Sequence, residues 1–156
     1  LRLTDRGTVV LIDSGIRPAL APELLVHAVA SPEEADVVAP ERIGTNQPAT
    51  AASDLYAAGC VLWQLLAGRP PYPQADPLTK LAAHQTRRID DVRELAPDAP
   101  ASLARLIHEL TSPNPQDRPA NAEAARRRLG TRGALAVRGL ARFRRQLDYS
   151  VPHLAA

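Results

Sequence analysis

The sequence predicts a mainly α-helical domain opened by a short N-terminal β-hairpin, and three observations carry that reading. Between about residues 54 and 67, Leu55, Tyr56, Val61, Leu62, Trp63, Leu65 and Leu66 make a run that is apolar nearly all round, the pattern of a helix enclosed by the rest of a fold. Leu103, Leu106, Ile107 and Leu110 fall at i, i+3, i+4 and i+7, which is one buried helical stripe. Two β-prone runs, residues 1–4 and 8–12, flank the turn signal Asp5-Arg6-Gly7, as in a hairpin.

In chain order, the hairpin gives way at Asp13-Ser14-Gly15 to a stretch from Ile16 to Val38 that holds three prolines and the acidic patch Glu33, Glu34 and Asp36. It reads as an irregular loop with one helical turn near Pro22 to Leu25. Ser53 or Asp54 is expected to cap the enclosed helix, with Gly68 stopping it before Arg69-Pro70-Pro71. Further helices are expected at about 76–86, 101–111 and 120–129, each preceded by proline or by an Asp, Ser or Asn cap signal.

A chain of 156 residues that is 45% hydrophobic can bury one ordinary core. It contains no methionine, so Leu1 is read as continuing earlier sequence and the chain as part of something longer. No apolar run reaches the roughly 18 to 20 residues a membrane helix needs, and no signal-peptide pattern is present; a cytoplasmic location is the expectation. Cys60 is the only cysteine, which excludes an internal disulfide or a cysteine-based zinc site and suits a small core residue. His27, His84, His108 and His153 lie far apart with no paired spacing, and no Gly-x-Ser-x-Gly elbow occurs, so neither a histidine metal cluster nor hydrolase chemistry is indicated. The net charge is only +2, and all but one of the 19 basic residues are arginine.

Four short signals occur in one order: Asp13-Ser14-Gly15 after a strand, Ala39-Pro40-Glu41, Asp54 at the head of the enclosed helix, and Asp117-Arg118-Pro119. Gly68-Arg69-Pro70-Pro71-Tyr72 and Asn114-Pro115-Gln116 add two more. Together these segments resemble the large, C-terminal lobe of a bacterial-type serine/threonine protein kinase domain over residues 1–130, the helical lobe of the α+β protein kinase-like fold. The resemblance places an activation segment at 13–41 and the lobe's core helix at about 54–67. It makes Asp13 the residue that holds Mg against the phosphates of ATP. Glu41 and Arg118 become a structural ion pair closing the activation segment, and Asp54 the residue that bonds the backbone of the catalytic loop.

What the resemblance leaves out is equally specific. The general base and second metal-binding asparagine of the family precede the Asp13 position by about a dozen residues, so no catalytic residue is expected within the chain and the base is expected upstream of Leu1. The glycine-rich loop and phosphate-pairing lysine belong to the small N-terminal lobe, which becomes the first expected partner. A protein substrate or regulatory partner is the second. ATP and Mg are expected for the complete kinase and not for this chain alone. Two departures point instead to a pseudokinase scaffold: Ser14 stands where the family usually has Phe, and ungapped counting from Ala39 puts Glu34 where a Thr or Ser contacts the catalytic aspartate, unless a two-residue slack places Ser31-Pro32 in that role. Ser31, the only hydroxyl residue between Ile16 and Val38, is the candidate phosphorylation site, although phosphate there would join Glu33 and Glu34.

Residues 131–156 form an Arg-rich helical or linker tail. Between Glu123 and Asp148 eight arginines occur without an acid, which suits a solvated basic helix packed on the domain or leading to a linker. Contact with an anionic membrane surface is the alternative. Interleaved aromatics and nucleic-acid motifs are missing, so no specific nucleic-acid partner is expected.

Overall fold

The computed structural model describes residues 2–3, 9–10, 33–45 and 48–136. The chain divides into two compact units, Leu1–Ala28 with Gly44–Asn46 and Val29–Ile43 with Gln47–Ala156. In the first unit, β1 (Arg2–Leu3) and β2 (Val9–Val10) pair antiparallel, Arg2 opposite Val10 and Leu3 opposite Val9. The turn 4–8 that would join them into a hairpin lies outside the described residues, as does the helical turn expected near Pro22.

The second unit is helical. Its four α-helices among the described residues are α1 (Ala51–Ala67), α2 (Pro77–Thr86), α3 (Ala101–Leu110) and α4 (Ala122–Ala136). Short 3-10 turns at Glu34–Val37, Pro40–Arg42, Val92–Glu94 and Pro115–Asp117 shape the connections.

The start of α1 corrects the expected cap. Thr50, not Ser53 or Asp54, is the N-cap: its hydroxyl accepts from the Ser53 N–H at 3.1 Å, and the Ser53 hydroxyl accepts from the Thr50 N–H at 2.8 Å. This reciprocal box satisfies two N–H groups that a helix start otherwise strands, so the helix begins three residues early and Asp54 sits inside its first turn. Gly68 ends it with φ +74°, its N–H on the Gln64 carbonyl, a left-handed residue that costs glycine nothing. At the other end of the lobe, α4 runs through Gly130 to Ala136 instead of stopping near 129. An interior glycine costs only about 1 kcal/mol relative to Ala, and Gly130 keeps helical geometry.

The core forms where α1 meets α3. Tyr56, Cys60 and Trp63 of α1 pack with Leu103, Ala104 and Ile107 of α3 and with Ile89 and Val92 from the intervening loop. The other edge of the α3 stripe, Leu106 and Leu110, closes on Leu55 and on Ala125 of α4, with Leu129 against the same group. Trp63 is buried to 2% exposure, and its indole N–H donates to the Asp90 carbonyl at 3.0 Å. Gly59 sets the α1–α3 approach: a Cβ there would lie 2.8 Å from Leu110 Cβ and from Thr111 Cγ2. Glycine therefore stands here for closeness, not for backbone freedom.

Gly59→Ala should force the two helices apart. The overpacking cost, about 1–3 kcal/mol, exceeds the roughly 0.5–1 kcal/mol that alanine gains in helix propensity, so thermal unfolding monitored by circular dichroism should show a lowered midpoint. A midpoint at or above that of the unchanged chain would contradict the packing.

Candidate functional site: the clamped segment 33–43

Ala39 is extended (φ −67°, ψ 139°), as the residue before a proline prefers. Pro40 then opens the 3-10 turn that carries Glu41. At the far end of the lobe, Asn114 caps the turn Pro115–Asp117 by accepting from the Gln116 N–H at 3.2 Å. Arg118 leaves that turn in extended conformation (φ −78°, ψ 159°), again before a proline. These two local devices aim Glu41 and Arg118 at each other across 77 residues.

They meet as a bidentate pair: Arg118 Nη1 donates to Glu41 Oε1 at 2.7 Å and Nη2 to Oε2 at 2.8 Å. The remaining donors go to backbone carbonyls, Nε to Ser112 at 2.8 Å, Nη1 to Ala52 at 2.9 Å and Nη2 to Pro113 at 3.2 Å. Every N–H of the guanidinium, five in all, has an acceptor. The guanidinium carbon also lies 4.8 Å from the centre of the Tyr56 ring, within cation–π range. The Arg118 side chain has 0% exposure and that of Glu41 26%. Burial would raise the Glu41 pKa, but the hydrogen bonds and positive charge of Arg118 outweigh it and hold the carboxyl below its usual range.

A second buried ion pair ties the same segment. Asp36, in the turn Glu34–Val37, accepts from Lys80 Nζ at 2.5 Å, and both residues are almost fully enclosed, at 7% and 5% exposure. One turn further along α2, the buried His84 holds Nδ1 2.7 Å from the Tyr56 hydroxyl and meets the Tyr72 ring edge to face at 4.8 Å. Burial drives the His84 pKa from 6.5 down to about 4, with Lys80 adding to the fall and the backbone of Ala35 and Asp36 opposing it. His84 is therefore a neutral imidazole at neutral pH, and the charge balance of the pocket rests on Lys80 and Asp36. Gln85, the next residue of α2, donates to the Ile43 carbonyl at 3.2 Å.

Asp54 stands apart from these contacts. Its carboxylate is exposed at the head of α1 and has no hydrogen-bonding partner among the described residues. Asp13, Ser14 and Ser31 lie outside the described residues. Among the described residues no group of His, Cys, Asp and Glu is arranged to hold a metal ion, and no helix is long and apolar enough to cross a membrane. Cys60 is buried and its thiol is pushed up to about 12 by desolvation, the state of an inert core cysteine.

The Lys80–Asp36 pair and the His84 cluster are the site features that sequence reasoning missed. The i, i+3, i+4 spacing of Lys80, Ala83 and His84 gives no core-stripe signal in the sequence, because two of the three are polar; only the structure shows them as the buried positions of α2.

Arg118→Ala should destabilise the chain, because the enclosed guanidinium and its five hydrogen bonds are lost and Glu41 keeps no cation; the 26% exposure of Glu41 holds the loss to the lower end of the about 3–5 kcal/mol typical of a broken buried pair. Thermal or urea unfolding reads this, and an unchanged midpoint would refute the pair. For His84, the depressed pKa makes stability complete above pH 6.5 and progressively lost as pH falls towards 4, since only the unfolded chain then takes up the proton. The imidazole Cε1 proton of His84 should titrate near pH 4 by NMR; titration near 6.5 would show that the ring is not enclosed.

Comparison with known proteins gives the family. The protein kinase domain family matches residues 1–129. A probable serine/threonine-protein kinase, PknA2 of Bifidobacterium longum, is 32% identical over 123 residues, covering 79% of this chain and 16% of its own. Serine/threonine-protein kinase PknE of Mycobacterium tuberculosis is 34% identical over 108 residues, covering 69% and 19%, and a probable kinase of Corynebacterium efficiens is 30% identical over 124 residues, covering 76% and 19%. The chain thus spans less than a fifth of the length of these relatives. A helical lobe with these matches identifies the chain as a member of the protein kinase domain family, of the bacterial serine/threonine type.

Proposed function

We propose that this chain supplies the substrate-side lobe of a bacterial serine/threonine protein kinase, which transfers the γ-phosphate of ATP to hydroxyl groups of proteins. The observation that carries this reading is the Arg118–Glu41 clamp, which closes the segment 33–43 into one shape against α1. Phosphoryl transfer depends on positioning far more than on covalent chemistry by the protein, and a rigid segment at this point would present the acceptor hydroxyl. In the complete site Asp13 would hold Mg, and the exposed Asp54 carboxylate would bond the backbone of the catalytic loop. ATP with Mg supplies the transferable phosphoryl group. Within the 156 residues themselves there is no glycine-rich loop and no His-Arg-Asp sequence, so the chain by itself does not transfer phosphate in this proposal.

A second reading, a pseudokinase that uses the lobe as a protein-binding scaffold, is favoured by two residues. Ser14 would replace the usual Phe, and Glu34, at the head of the turn Glu34–Val37, would by ungapped counting from Ala39 put an acid where the family places a hydroxyl. An acid facing metal-bound phosphates would be repelled.

The discriminating experiment uses the longer protein that contains this lobe, with radiolabelled ATP, Mg and a mixed basic protein substrate. Transfer to serine or threonine that disappears in Asp13→Ala supports the kinase reading. Absence of transfer together with retained partner binding would replace it with the scaffold. The 156-residue chain assayed alone should give no transfer, and phosphorylation by it would overturn its assignment as one lobe of a divided site.

A further inference from the structure

Lys80 is the only lysine in a chain whose other 18 fixed cations are arginine, and it is enclosed in the fold. A buried ion pair is a poor source of stability, because desolvating both charges consumes most of their attraction, and apolar replacements of similar volume are often as stable or more so. The pair is better explained by what its geometry fixes. Asp36 and Glu41 lie five residues apart on one segment, and each carboxylate is held by a cation from a different part of the lobe, Lys80 of α2 and Arg118 after α3. Val38 and Ala39 between them are extended, so holding the two ends sets the direction of the intervening chain. Helix α2 adds Gln85 on the Ile43 carbonyl and the closed, aromatic-lined pocket of His84 behind Asp36.

We propose that Lys80 is a positioning residue: its ion pair with Asp36 is a built-in anchor that, opposite the Arg118 clamp, holds residues 33–43 in their presenting shape through charges the chain already carries. Phosphate is not needed for that order. In kinases generally, activation segments are often ordered by new contacts between a phosphate and arginine; here a carboxylate of the segment and a lysine of the lobe meet without one. A four-carbon lysine stem suits the task, since it delivers a compact charge through an apolar wall. The inference rests on reading 33–43 as the substrate-side end of the activation segment.

The sole lysine makes the anchor directly measurable. In the phosphatase-treated chain, acetic anhydride should modify the Lys80 amine slowly, and Asp36→Asn should raise that rate by about tenfold as the segment loosens. Hydrogen exchange should show residues 34–43 protected without phosphate, about tenfold faster exchange in Lys80→Met, and protection retained in Lys80→Arg, with α3 amides unchanged in all three. Native Lys80 acetylated as fast as in urea, protection appearing only after phosphorylation, or Lys80→Met as protected as the unchanged chain would each overturn the proposal. Should Lys80→Met not fold, the acetylation of the unchanged chain still decides. None of these readouts involves phosphoryl transfer, so the anchor and the proposed kinase activity stand or fall separately.

Discussion

The guanidinium of Arg118 is the constraint on which the lobe depends. It is planar, permanently charged and fully enclosed, and such a group is tolerated only if every donor finds an acceptor. Meeting that requirement joins three pieces of chain at one point: the segment end at Glu41, the head of α1 at Ala52, and the carbonyls of Ser112 and Pro113 beyond α3. The local structures around it follow from the same need. Extended residues before Pro40 and Pro119 and the Asn114 cap fix where the two partners emerge.

Charge is used differently inside the lobe and on its surface. The enclosed cations each serve one defined acceptor set. On α4, by contrast, Arg126 and Arg127 pair with Glu123 one turn away, and Arg128 reaches Glu109 of α3, all on substantially exposed side chains. Pairs of that kind contribute at most about 1 kcal/mol each and weaken with salt. They do, however, offset most of the charge at the beginning of the Arg-rich run, two carboxylates against three arginines.

Much of the lobe could be read from residues alone where one pattern dominated. The α3 stripe was plain because four large apolar residues keep helical spacing, and all four are buried. The start of α1 was harder: Thr50, Ser53 and Asp54 can each cap a helix, and only the reciprocal contacts between Thr50 and Ser53 decide among them. The Glu41–Arg118 meeting was expected from family resemblance and not from spacing, since nothing local links residues 77 positions apart. Lys80 was illegible for a related reason. A lysine among Pro77, Leu78 and Thr79 reads as solvent-facing, while Leu78 reads as core; the fold does the opposite, leaving Leu78 74% exposed and Lys80 5%. The inversion makes sense only once Asp36 is brought across 44 residues to meet the amine.

Tyr56 meets one tie directly and reaches the other only through His84. Its ring faces the Arg118 guanidinium, and its hydroxyl meets His84, which shares the face of α2 with Lys80. One phenol thus stands between the two anchoring points of the segment, as a common wall to two rooms. Through this chain of contacts, Arg118 to Tyr56 to His84 beside Lys80, the two ends form one network, and their separate contributions to the free energy would not add. Position 56 thereby carries two demands that an ordinary core position does not, a ring to face the guanidinium and a hydroxyl to meet the imidazole.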